Sequence, residues 1–193
     1  AEKDPALEDE ARMWFKKIED HDPEATKIFE WLKAETLKEA DKIYELLDVH
    51  FDSYNGESFY NDKMAPVLKT LEEKGLLVES QGARIVDLSA YDMPPCLLVK
   101  ADGASLYATR DIAAAIYRKQ TYDFDKCLYV VAYQQNLHFK QFFKVLELMG
   151  YDWAKDLEHI AFGMVSLEDG QSMSTRKGVV VYLEDVINKC IEK

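Results

Sequence analysis

An α/β fold is predicted, with helices against a parallel sheet and an antiparallel, hairpin-rich insertion ahead of it. Three observations predict it. Two strand-length apolar runs, Cys127 to Ala132 and His159 to Val165, flank a helix-periodic segment from Asn136 to Met149 that Gly150 closes. Both runs are apolar on successive residues, as burial on two faces of a parallel sheet requires. Upstream, pairs of short extended runs surround Gln81-Gly82 and Asp102-Gly103, the dipeptide chemistry of tight hairpins.

The 193 residues suffice for one domain or two small ones. With 48% hydrophobic and 12% aromatic residues and only 8 Gly and 5 Pro, the composition is globular and excludes collagen-like, low-complexity and disordered classes. Lysine and arginine number 24 against 36 acidic residues, a formal charge of -12 that repels phosphate backbones and argues against a free-standing nucleic-acid binder. Cys96, Cys127 and Cys190 lie far apart and share no ligand spacing with His21, His50, His138 or His159. Reduced thiols in a cytoplasmic protein, with no metal site, are therefore expected. No apolar run approaches the roughly 20 residues that span a bilayer, and no signal peptide is visible. The start at Ala1 and the end at Lys193, inside a helix-like stretch, are what a piece of a longer protein would show.

In chain order, Asp4-Pro5 and Asp22-Pro23 each place a capping carboxylate before a proline suited to the first helical position. A helix carrying Leu7, Ala11, Trp14 and Ile18 follows the first, and one carrying Ile28, Leu32, Ala40, Ile43 and Leu47 follows the second. Val49 to Asp52 reads as a short strand. A third helix, from about Asp62 to Lys74, aligns Met64, Val67, Leu68 and Leu71 and stops at Gly75. One hairpin joins Leu76–Val78 to Arg84–Val86, and a second joins Cys96–Val99 to Ser105–Tyr107. A helix then begins near Arg110. These readings divide the chain into a helical segment with a short strand (1–60), the hairpin-rich insertion (61–107), and an α/β half-fold (108–193).

Ligands of open α/β sheets lie beyond the carboxyl ends of the strands, which directs attention to the loops after Ala132 and Val165. In the first, Asn136 is placed to cap a helix whose first turn exposes His138, and free helix-start amides there suit an anion or a ribose hydroxyl. From that segment alone, a capped loop is the preferred reading. The second loop, 167–178, offers Ser172, Met173, Ser174, Thr175, Arg176 and Lys177, two of them adjacent cations able to neutralise a polyphosphate leaving group. A solvated basic turn accounts for it equally well, and no Walker-type P-loop exists in the chain. Tyr107 and Asp111 stand four apart, so one helical turn aims both into one cleft. A carboxylate matches a guanidinium and a phenol adds a flat face with a polar tip. On sequence alone, helix capping by Asp111 is the reading to prefer.

Taken together, four stretches resemble the arginyl-tRNA synthetases of class I: FDSYNGESFY at 51–60, KADGASLYATRDIAAA at 100–115, YVVAYQQNLHFKQ at 129–141 and MSTRKG at 173–178. They follow the family's order and spacing from about residue 28 onward, whereas the first 27 residues are less distinctive. The resemblance implies part of a Rossmann-type catalytic fold that adenylates arginine with ATP and magnesium, then transfers the arginyl group to the 3′-terminal adenosine of its tRNA. It implies that Tyr107, Asp111 and Gln135 hold the guanidinium end, that His138 lies near the adenosine, and that Ser172 to Lys177 form the signature loop that helps expel pyrophosphate.

The chain departs from the class I pattern at two places. In the general loop Lys-Met-Ser-Lys-Ser, Ser172 stands here at the first lysine and Thr175 at the second. No H-x-G-H occurs, since His21, His50, His138 and His159 precede Asp22, Phe51, Phe139 and Ile160. An isolated chain of this kind is therefore expected to be inactive and to bind tRNA weakly. Two rivals are a non-catalytic arginine-binding or scaffolding module derived from a synthetase, and a nucleotidyltransferase of similar fold. The second needs the missing histidine pair.

Overall fold

A computed structural model describes residues 6–101, 106–164 and 181–192. The chain divides into two compact units, residues 1–53 with 174–193, and residues 54–173.

In the first unit, α1 (Ala6–Glu19) and α2 (Pro23–Leu46) form where the apolar spacing places them. The Asp22 carboxylate accepts from the amides of Glu24 and Ala25 at 3.1 and 3.0 Å, with Pro23 filling the position whose N–H has no helical partner. Asp4-Pro5 lies outside the described residues. The strand expected at Val49 to Asp52 does not form. Asp48 turns left-handed (φ 53°), and the Val49 amide folds back onto the Tyr44 carbonyl at 2.8 Å. Phe51 then packs edge-on against Tyr44, 4.7 Å between ring centroids. Local closure of the helix end thus consumes the residues that read as extended. The unit also contains α6 (Leu183–Ile191).

The second unit opens with a 3-10 segment, Glu57–Lys63, running into α3 (Met64–Glu73), which Gly75 ends at φ +66°. Strands β1 (Val78–Ser80) and β2 (Ala83–Val86) pair antiparallel in the predicted hairpin. Gln81 and Gly82 form its two-residue turn, both at positive φ (52° and 78°), the mirror-image geometry whose twist matches the strands. The second predicted hairpin is corrected at Tyr107; its turn at Asp102-Gly103 and Ser105 lie outside the described residues. β3 (Cys96–Val99) pairs with β2 instead, and Tyr107 is the first residue of α4 (Tyr107–Tyr122), which begins three residues earlier than the sequence indicated. A bond from the Leu106 amide to the Leu98 carbonyl, 2.9 Å, replaces the expected ladder at that point.

β4 (Cys127–Ala132), α5 (Asn136–Leu148) and β5 (Leu157–Phe162) follow as a parallel strand–helix–strand unit, registered from Cys127↔Leu157 to Ala132↔Phe162. β5 starts two residues before the predicted run; Val165 lies outside the described residues. Burial of these strands on both faces is a second correction. Tyr129 is buried among Phe139, Phe142 and Phe143 of α5, whereas Leu128 and Val130 on the opposite face are 54% and 65% exposed, and Ile160 and Phe162 are also exposed. Consecutive apolar residues prepare a strand for two covered faces, and among the described residues α5 covers one.

The core lies where α3, β2, β3, α4 and α5 meet, with Leu71, Val86, Leu98, Ile112, Phe142 and Val145 fully buried. Helix α4 is its centre. Ala113, Ala114 and Ala115 are all buried, and their small side chains permit close approach by neighbouring elements.

Candidate functional site

Helix α4 is fixed before it presents any chemistry. Thr109, fully buried, donates its hydroxyl to the Leu98 carbonyl at 2.7 Å and ties the first turn to β3. Arg110 pairs with Glu57 at 3.0 Å, linking the same turn to the 3-10 segment. One residue further on, Asp111 meets the second helix of the site: its Oδ2 lies 2.6 Å from His138 Nε2 in the first turn of α5. With the carboxylate ionised, the imidazole Nε2–H donates.

The contact decides one alternative that the sequence left open. Asp111 is the fifth residue of α4, the N-cap position is held by Leu106 without a side-chain cap bond, and Asp111 bonds a side chain of another helix. Its role as a helix cap is excluded. Asn136 is likewise not a cap. It is the first residue of α5, after a 3-10 turn at Tyr133–Gln135, and Gln135 occupies the N-cap without a side-chain bond.

His138 is less open than its position in a first turn suggested. Its side chain is 22% exposed, with ring contacts to Phe139 at 5.5 Å and Phe142 at 5.3 Å, while the Asp111 side chain is 36% exposed. Phe139 in turn stacks on His159 at 4.1 Å, whose Nε2 lies 2.9 Å from the Val131 carbonyl oxygen. The backbone of β4, an aromatic stack and the Asp111 carboxylate are thereby joined in one continuous set of contacts.

Tyr107 is 67% exposed one helical turn before Asp111, and Gln135 is exposed three residues before His138. Four of the predicted site residues thus occupy the opening turns of two helices joined by the Asp111–His138 pair, and the α5 pair follows directly on the carboxyl end of β4. A carboxylate near the start of one helix, with a solvent-facing phenol one turn before it and an exposed amide just ahead of the partner helix, offers acceptors for a cation that is itself a hydrogen-bond donor. Ser172, Met173, Ser174, Thr175, Arg176 and Lys177 lie outside the described residues. No cluster of three or more His, Cys, Asp or Glu side chains suited to a metal ion occurs among the described residues. No described helix is long and apolar enough to cross a membrane.

Sequence reasoning did not single out Glu57, Arg110 or Arg118, nor the partnership of His138 with Asp111. The guanidinium of Arg118 lies 5.4 Å from the Tyr129 ring and 5.6 Å from that of Tyr60, bracing α4 against β4 and the 3-10 segment. No spacing rule announces such contacts, because their partners are separated by 27 residues in one case and 53 in another. A separate groove of about 460 Å³ between α3 and α4, lined by Asp62, Val67, Thr70, Ile116, Tyr117 and Gln120 among others, contains none of the predicted site residues.

Comparison with known proteins agrees with this architecture. The family model described as tRNA synthetases class I (R), catalytic domain, matches residues 1–193. The chain is 64% identical over 193 residues to an arginine–tRNA ligase of Clostridioides difficile and 60% identical to one of Halothermothrix orenii, in each case covering all of this chain and 34% of the relative. It therefore spans about a third of the length of these curated relatives. Among solved structures, it is similar to arginyl-tRNA synthetase from Plasmodium falciparum, with TM-score 0.76 at 27% identity over 95% of this chain and 31% of that one. The synthetase from Thermus thermophilus shares the fold at TM-score 0.65 and 18% identity, over 97% of this chain and 37% of the other. A carboxylate-centred site on the opening turns of α4 and α5, a parallel strand–helix–strand unit beside it and a family match along the whole length agree: the chain belongs to the class I arginyl-tRNA synthetases, within their catalytic domain.

Proposed function

We propose that this chain is the amino-acid side of the catalytic domain of a cytoplasmic arginine–tRNA ligase. The observation that carries the reading is the 64% identity to an arginine–tRNA ligase across all 193 residues. The Asp111 geometry supports it: a half-open carboxylate held by His138 is the charge complement of a guanidinium, and exposed Tyr107 and Gln135 on the opening turns of the same two helices are the side chains that would orient it. Arginine held at its side-chain end directs its own carboxylate toward the α-phosphorus of ATP. Attack there forms arginyl-adenylate and releases pyrophosphate, whose charge Arg176 and Lys177 of the signature loop offset. A ribose hydroxyl of the terminal tRNA adenosine then attacks the arginyl carbonyl and AMP leaves.

Magnesium would arrive on the phosphates of ATP, the usual mode of binding for this small, strongly hydrated cation at nucleotide sites. The residues that cradle ATP in an H-x-G-H pattern are not among these 193. Arginine-dependent exchange of pyrophosphate into ATP by the ligase carrying this sequence, with tRNA present, tests the reading. Exchange that needs arginine and ignores lysine is the expected result; exchange indifferent to arginine refutes it.

A further inference from the structure

We propose that His138 is a positioning residue for Asp111, fixing the carboxylate that receives the guanidinium of arginine. The inference rests on the reading of the site as an arginine pocket and goes beyond it, moving His138 from the nucleotide side, where the family resemblance places it, to the amino-acid side.

The bond itself is the first support. An imidazole nitrogen at 2.6 Å from Oδ2, between side chains that are 22% and 36% exposed, is a committed contact rather than a passing surface pair. A second support is the clamping of the ring. Phe139 and Phe142 contact it from α5, and Phe139 is itself held against His159, which is anchored to the Val131 carbonyl of β4. Nε2 is consequently aimed at Asp111 by packing. The third is the complementary anchoring of α4, whose backbone the Thr109–Leu98 bond fixes two residues before Asp111.

An aspartate carboxylate otherwise turns freely about its last torsion, which has broad, two-fold preferences. Holding Oδ2 removes that freedom before the ligand arrives, so Oδ1 waits in one place and less ordering cost falls on binding. The histidine need not touch arginine, ATP or the reacting atoms to act in this way.

The test measures KM and kcat for arginine and for ATP in pyrophosphate exchange, with tRNA present, by the ligase carrying this sequence, unsubstituted and as His138→Ala and His138→Gln. Glutamine retains an N–H donor at nearly the reach of Nε2. His138→Ala should raise KM for arginine roughly ten- to a hundredfold, the loss of a bond to a charged group. KM for ATP should change less than about threefold, and His138→Gln should recover most of the arginine effect. If the alanine variant does not fold, as judged by circular dichroism, the glutamine variant and the ring-nitrogen NMR signals of His138 in the unsubstituted protein decide. Those signals should shift on adding arginine and on Asp111→Asn, but not on adding ATP alone. A rise in KM for ATP with that for arginine unchanged, or ring nitrogens that respond only to ATP, overturns the inference and leaves arginine activation standing. Absence of arginine-dependent exchange in the unsubstituted ligase overturns the functional reading, and the inference with it.

Discussion

Thr109 Oγ1 donates to the Leu98 carbonyl oxygen at 2.7 Å inside the core, so the helix that carries Asp111 is bolted to β3 by a side chain. Leu98 also accepts from the Leu106 amide at 2.9 Å. Thr109→Val keeps the shape, removes the hydroxyl and leaves that carbonyl one partner. It should destabilise the fold by about 1 kcal/mol, read from urea unfolding, and Thr109→Ser should recover the hydrogen bond while losing a methyl group. An unchanged unfolding midpoint in Thr109→Val would remove this bond from the account of how Asp111 is placed.

The three thiols should differ in reactivity. Burial pushes the Cys96 thiol up to about 12 and also raises that of Cys127, whereas Cys190 is exposed. Alkylation of the folded chain by iodoacetamide near neutral pH should modify Cys190 first and Cys96 last, with the order vanishing in denaturant. Mass spectrometry of timed digests reads this directly, and early labelling of Cys96 would contradict its burial.

A pH dependence follows from the same burial. Cys96 and Tyr129 are acids whose neutral forms the fold favours, each raised mainly by desolvation. The folded chain therefore holds protons that the unfolded chain releases, and stability present below the unfolded thiol's range is lost as pH rises through it. Between about pH 8 and about pH 10.5 the unfolding free energy should fall by roughly 2 kcal/mol, with part of the slope removed in Cys96→Ala. A flat profile would contradict the assignment.

Elements marked by strong cap or turn residues were legible in the sequence, whereas a helix-end closure and the contacts between distant residues were not. Asp22-Pro23 marks the start of α2, and Gln81-Gly82 marks a hairpin, because cap and turn chemistry is complete within a few residues. Cys127 to Ala132 is a strand with the predicted bounds. Val49 to Asp52 misleads because the left-handed Asp48 closes α2 upon it, and Tyr107 misleads because extended φ/ψ at Leu106 leads into an uncapped helix rather than a strand. At the site, the i, i+4 spacing of Tyr107 and Asp111 pointed to a shared face. The partner of Asp111 was hidden, since only tertiary packing brings α5 to it.

A chain of these 193 residues alone should form neither arginyl-adenylate nor arginyl-tRNA. Holding ATP in line with the arginine carboxylate supplies roughly 7 to 11 kcal/mol of a barrier in well-oriented cases, and no H-x-G-H is present to do so. Pyrophosphate exchange above a no-enzyme control, abolished in an Arg176→Ala, Lys177→Ala double variant so that contamination is excluded, would refute this.

The most direct measurement is calorimetric titration of arginine and of ATP into the ligase carrying this sequence, with tRNA present, unsubstituted and as Asp111→Asn. Asparagine keeps the size of the side chain and can still bond His138, but it removes the one negative charge assigned to the guanidinium. An under-paired charge in a partly buried pocket costs about 2 kcal/mol or more. Arginine binding should therefore weaken roughly thirtyfold or more while ATP binding stays within about threefold, and lysine should gain little, because an ammonium cannot reproduce a planar, two-point contact. Equal arginine affinity in the two proteins would contradict the placement of the guanidinium at Asp111.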